Sequence, residues 1–365
     1  MRRIILQIQL LGVLLILCGF STLCAASDSD IAQGIRLFQA RKFDEAKNFF
    51  SDFIKTHPQD ARAAYYLGRV SLVDNDFDAA IEWFERALEI EKDSALCHLW
   101  LGRAYGRKAM SANIIKKASL AKKVLAEFEQ AVRLAPDNLE ARFALLQYYI
   151  MAPGIMGGSK GKAREQAQEI KTYNLLQGHI AFGMIYESEK QYDQAQAEYQ
   201  NAIAAFPDSI QAYDALALLF QRREQYDEAI ALTNDVIARF PDKRKDSYLR
   251  LGQLHVQMKQ YDKALASFDQ ALALDREYWN GYYQIGRLGA LSGQYLDRAE
   301  QGLKIFIENA PKGDNFPSLA WAHVRLGMIY EHRGNKELAA AEFHQALKLD
   351  PKHEEAKKAL KRVKQ

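Results

Sequence analysis

The stretch Gly183-Met-Ile-Tyr-Glu-Ser-Glu-Lys-Gln-Tyr192-Asp-Gln-Ala195-Gln-Ala-Glu-Tyr199-Gln-Asn-Ala202-Ile-Ala-Ala-Phe-Pro207 decides the fold. Its skeleton is a glycine, a later aromatic, then alanine, aromatic and alanine at helical spacing, and a closing proline. The same skeleton returns as Gly68, Phe77, Ala80, Phe84, Ala87 and as Gly252, Tyr261, Ala264, Phe268, Ala271. Gly68 and Gly102 stand 34 residues apart, as do Gly252 and Gly286. A fixed period of this size marks one supersecondary unit stacked on itself, whose core grows without dividing into globular domains. Hydrophobic residues make up 48% of the 365, ample for burial, and the low proline count (8) favours helices over strands.

This skeleton resembles the tetratricopeptide repeat (TPR), whose unit is a pair of antiparallel helices. The resemblance implies an all-α fold: a right-handed α-solenoid of about nine helix pairs with a C-terminal capping helix. First helices would line a concave side that takes peptides or partner helices. Units are expected near 27–60, 61–94, 95–138, 139–175, 176–209, 210–244, 245–278, 279–313 and 320–353, with the polar residues 354–365 closing the last apolar face. Gly68 and Ala80 are expected where two helices cross closely, and Phe84 between neighbouring repeats. Pro207 and Pro351 would end helices, having no amide donor, while Asp193 and Asp227 would cap second helices.

Two units are irregular. In the third, the markers Phe128, Ala131 and Pro136 arrive late. Ile114, Ile115, Ala118, Leu120, Ala121, Val124, Leu125 and Phe128 keep helical spacing, which predicts either a lengthened second helix or an extra turn in the connection. Lys116, Lys117, Lys122 and Lys123 would lie on its solvated side, as a solubilising face or as a patch for an anionic partner. In the fourth, Pro153 and four glycines break the first helix and make a loop. The loop is no P-loop, because Met156 and Ala163 stand where glycine and Ser/Thr are needed and no strand precedes it. It remains open as a structural turn, a partner contact, or an anion site built from Gly157, Gly158, Ser159, Lys160 and Lys162 at a helix N-terminus. A long third unit followed by Ala152-Pro-Gly-Ile-Met-Gly-Gly-Ser-Lys160 resembles a group of exported bacterial TPR proteins.

The first 26 residues are different material. Arg2 and Arg3 precede an apolar run from Ile4 to Phe20, interrupted only by Gln7 and Gln9, and Cys24-Ala25-Ala26 offers a cleavage site. This predicts a Sec signal peptide over 1–26, hence an exported protein of the periplasm or cell envelope, with an uncleaved signal anchor as the alternative. Cys18 and Cys24 leave with it, so Cys97 has no disulfide partner and is expected to be a buried, inert thiol. Taking Arg2 and Arg3 from 49 basic residues leaves 47 against 46 acidic ones. That balance lacks the basic excess of a nucleic-acid binder.

No chemistry is written in motifs. The eight histidines form no metal-ligand spacing, and neither a nucleophile elbow nor a dinucleotide fingerprint occurs. No cofactor, no metal and no catalysis are therefore expected. The groove positions that the TPR resemblance implies hold Arg62, Tyr65, Arg69, Leu99, Arg103, Phe143, Gln147, Ile180, Met184, Leu218, Gln253, Tyr283 and Arg287. Arg62, Arg69 and Arg103 would make a basic wall beside Tyr65 and Phe143, suited to a carboxylate-bearing segment, or would pair with neighbouring acids. The expectation is a non-catalytic interaction scaffold for protein partners, touching membrane only through an uncleaved leader. The alternative is a ligand-sensing or carrier module that uses residues Gly154 to Lys162 as an anion site.

Overall fold

The computed structural model describes residues 31–311 and 316–364; the expected leader, residues 1–26, lies outside them. Among the described residues every regular element is a helix. They form two compact units that divide between Gly158 and Ser159. The first holds α1 (31–39), α2 (Phe43–Thr56), α3 (Ala61–Val73), α4 (Phe77–Ile90), α5 (Ala95–Met110), α6 (Ile114–Leu134) and α7 (Leu139–Met151). The second opens with α8 (Lys160–Tyr173), α9 (Leu175–Ser188), α10 (Tyr192–Ala205), α11 (Ile210–Arg222), α12 (Tyr226–Arg239) and α13 (Arg244–Gln257). It continues through α14 (Tyr261–Leu274), α15 (Trp279–Ser292), α16 (Leu296–Asn309), α17 (Leu319–His332), α18 (Lys336–Leu349) and α19 (Glu354–Val363).

At the core of six of the hairpins an aromatic ring is seated on a glycine, and in the α15–α16 hairpin Leu303 takes the place of the ring against Gly286. A Cβ on Gly68 would lie 2.7 Å from the Phe84 ring, on Gly183 2.2 Å from Tyr199, and on Gly252 2.3 Å from Phe268. Gly102 with Phe128 and Gly327 with Phe343 repeat the arrangement. The glycine thus makes room for a side chain of its own repeat, rather than for a helix backbone as expected from the sequence. Phe50, Phe84, Phe268, Phe306 and Phe343 are fully buried, each stabilising its layer by about 2–3 kcal/mol. The small partners Ala80, Ala195 and Ala264 are likewise buried.

A left-handed residue turns the chain from first to second helix: Arg41, Asn75, Lys190, Glu224, Lys259 and Gly334 all have positive φ. The third and fourth units replace this turn. In the third, Ser111–Asn113 lead into α6, one continuous helix of 21 residues that starts on the Asn113 cap. In the fourth, α7 stops before Pro153, a 3-10 turn covers Gly154–Met156, and Gly157 takes φ 96°. A Cβ on Gly158 would lie 1.7 Å from the Ala152 carbonyl oxygen, so only glycine fits there.

Two local expectations are corrected. The N-caps of α10 and α12 are Gln191 and Gln225, without side-chain cap bonds; Asp193 and Asp227 sit in the first turn, where they face the positive end of the helix dipole. Ile114 and Ile115 head the apolar stripe of α6 but are exposed, and no residue of that helix is buried before Val124.

Candidate partner-binding site

In the first unit the candidate groove side chains project from α3, α5 and α7. Arg62 folds back onto the carboxylate that caps its own helix, with Nη2 2.8 Å and Nε 3.3 Å from Asp60. Asp60 also accepts the amides of Arg62 and Ala63. Burial opposes its ionisation, yet the Arg62 bond and the two amides prevail and hold its pKa below the usual carboxylate range. Arg62 therefore serves the cap, following the second of the two readings, in which the arginines pair with neighbouring acids.

Tyr65, expected to face the groove, is largely covered by its neighbours. It is 7% exposed, and its hydroxyl accepts Arg69 Nη1 at 2.6 Å. Burial pushes the phenol pKa up. Arg69 lies over the indole of Trp100, its guanidinium carbon 3.5 Å from the ring centroid, and 5.1 Å from the Phe38 ring. Arg103 approaches the same indole at 4.4 Å and donates to Glu140 Oε1 of α7 at 2.7 Å. The Trp100 indole N–H is buried and finds no acceptor among the described residues. Two guanidiniums thus share one indole, and only Arg103 has a carboxylate; Arg69 meets none among the described residues. Phe143 is half-buried on α7 and Gln147 is exposed. Trp100 was missed from the sequence because it falls one place beyond Leu99, the position read as inward; Leu99 is wholly buried.

The second unit carries a related arrangement. Tyr283 is buried, and Arg287 on the same helix donates to Gln284 at 3.3 Å. Burial and the nearby charge of Arg325 lower the Arg287 pKa. Arg325 bonds Glu355 at 3.0 Å and lies 4.9 Å from the exposed Trp321 ring. Arg250, another residue absent from the expected set, bonds Asp214 at 2.7 Å. Met184 is half-buried on α9.

The glycine loop divides between the units, with Gly157 and Gly158 in the first and Ser159, Lys160 and Lys162 in the second. Ser159 caps α8 by accepting the Lys162 amide. Glu189 approaches this helix start from α9, 2.6 Å from Arg164 and 3.9 Å from Lys160. A carboxylate of the chain itself thus already faces these cations. Cys97 is buried, which raises its thiol pKa. Among the described residues no group of three or more His, Cys, Asp or Glu side chains could hold a metal ion, and no helix is long and apolar enough to cross a membrane.

Family models described as tetratricopeptide repeat match residues 31–96, 176–209, 208–277, 249–314 and 320–353. Superkiller complex protein 3 of Mus musculus is 23% identical over 345 residues, covering 93% of this chain but only 19% of that protein. Among solved structures, yeast Tom70 aligns at a TM-score of 0.50 and 14% identity, over 93% of this chain and 88% of that one. A tetratricopeptide repeat protein from Parabacteroides merdae ATCC 43184 aligns at 0.45 and 13% identity, over 93% and 99% of the two chains. Likeness at these identities speaks to the fold alone. The recurring glycine–ring hairpins and the family matches agree: the chain is a tetratricopeptide-repeat protein, an all-α solenoid of helix pairs.

Proposed function

We propose that this chain is a non-catalytic scaffold of a bacterial cell envelope that holds protein partners by their carboxylate-bearing segments. Proteins of this repeat family generally bind other proteins, and the apolar leader with its small-residue cleavage site supports export. One observation carries the choice of partner chemistry. Arg69 lies over the Trp100 indole and meets no carboxylate among the described residues. Arginine and tryptophan are the residue types that dominate binding energy when they become desolvated. A guanidinium fork already oriented by an indole can take a carboxylate bidentately at little further entropic cost. Arg103 would exchange Glu140 for the partner's acid or keep it as a second anchor.

The test is crosslinking and pull-down from the native envelope with the parent chain, Trp100→Ala and Arg69→Glu. Partners present with the parent and lost with both variants, each still melting cooperatively, are expected. Tyr65 is unsuitable for this purpose, because truncating a buried ring removes core packing as well. A partner list unchanged by both substitutions would sink the reading.

A further inference from the structure

The large apolar residues most exposed among the described residues all belong to the first unit. Met110, Ile114, Ile115, Met151 and Ile155 are 71% to 90% exposed, whereas no other exposed large apolar residue exceeds 53%. The first three form the tip where α5 turns into α6. Helix α6 has 21 residues against 14 in the second helices α4 and α10, so it extends about 10 Å further at about 1.5 Å per residue. Met151 ends α7, and Ile155 lies in the turn that follows it. Tyr148 ties that turn to α6, its hydroxyl lying 2.8 Å from the Ala121 carbonyl and 2.5 Å from the Met156 carbonyl.

Charge accompanies the apolar tip. From 107 to 126 the chain carries Arg107, Lys108, Lys116, Lys117, Lys122 and Lys123 and no acidic residue, although it is close to neutral overall. Lys108 pairs with Asp78 and Lys123 donates to Tyr105. Lys116, Lys117 and Lys122 are exposed, with no carboxylate partner among the described residues. A second copy would bring the same uncompensated cations together, which disfavours it as occupant. Exposed isoleucine and methionine beside uncompensated lysine match the pattern by which helices bind anionic lipid surfaces.

We propose that the α5–α6 tip docks on an anionic lipid bilayer, with Ile114 and Ile115 entering the headgroup layer while Lys116, Lys117 and Lys122 meet lipid phosphates. This departs from the sequence expectation of membrane contact through the leader alone, and it does not depend on the partner reading above.

The experiment uses the full chain carrying Ile115→Trp, a change at an exposed position that should leave the melt unaltered. Vesicles of brominated phosphatidylglycerol are compared with vesicles of brominated phosphatidylcholine, because the bromine quenches only a tryptophan within the bilayer. The added fluorescence, taken over the parent, is expected to be quenched by the anionic lipid alone. Adding Lys116→Glu and Lys117→Glu should weaken that quenching by about tenfold or more in apparent affinity, and raised salt should do the same. Absence of quenching by phosphatidylglycerol would overturn the proposal, as would equal quenching in both lipids that survives charge reversal. A leader inserted elsewhere does not mimic the charge dependence. Concentration-dependent dimerisation abolished by Ile115→Asp would instead assign the face to a second copy.

Discussion

Gly178 and Gly106 both lie inside first helices, yet their replacement by alanine should act with opposite signs. A Cβ on Gly178 would stand 2.4 Å from Lys171 Cβ and 2.5 Å from its Cα, so backbone would have to move. Gly178→Ala is expected to cost about 1–3 kcal/mol. At Gly106 the nearest atom is Val124 Cγ2 at 3.9 Å, an ordinary contact. Gly106→Ala should therefore stabilise by up to about 1 kcal/mol, through helix propensity alone. Urea unfolding of the two variants checks both signs. A neutral Gly178→Ala would refute the close-approach account.

Between elements, a histidine–glutamate bond recurs across hairpins. His98 of α5 meets Glu127 of α6, His179 of α9 meets Glu198 of α10, and His323 of α17 meets Glu342 of α18, each at 2.6 Å. For His98, burial works against the charged ring, but the Glu127 bond and the Lys92 carbonyl outweigh it and raise the pKa. A raised folded pKa means stability fully present below the ordinary histidine value of about 6.5 and lost as pH rises through the folded one. The difference in Tm between parent and Glu127→Gln should thus be largest near pH 6 and shrink toward about pH 9. A difference that stays constant over that range would show that the bond is made by the neutral ring.

Over the whole molecule, stability in a solenoid is a sum of nearest-neighbour contacts. Phe343 fills the last hairpin, and Ala356, Ala359 and Val363 of α19 cover its outer side. Phe343→Ala should cost about 3–5 kcal/mol locally. Amide protection measured by hydrogen exchange should then fall in α17, α18 and α19 and stay at the parent level in α3 and α4. A uniform loss across both units would contradict nearest-neighbour stability and imply one global cooperative unfolding.

How much of this was legible differs by feature. Glycine, aromatic and alanine at helical spacing determined the helix pairs from sequence alone, because helical periodicity is a local property. Prolines two places beyond α10 and α18 marked helix ends for the same reason. Arg62 and Trp100 could not be read that way. One turned back to its own cap, and the other entered the site from a place next to the one expected. The irregular third unit was visible as a delay in its markers, and the lengthened second helix offered as one of two readings is the continuous α6, but the uncovered apolar tip of that helix was not visible. The sequence by itself determined the repeat, the helices and a net charge of only +3. Only the tertiary structure decided which side chain fills a glycine notch, which arginine meets no carboxylate among the described residues and which isoleucines face water, since each depends on what a neighbouring helix places opposite.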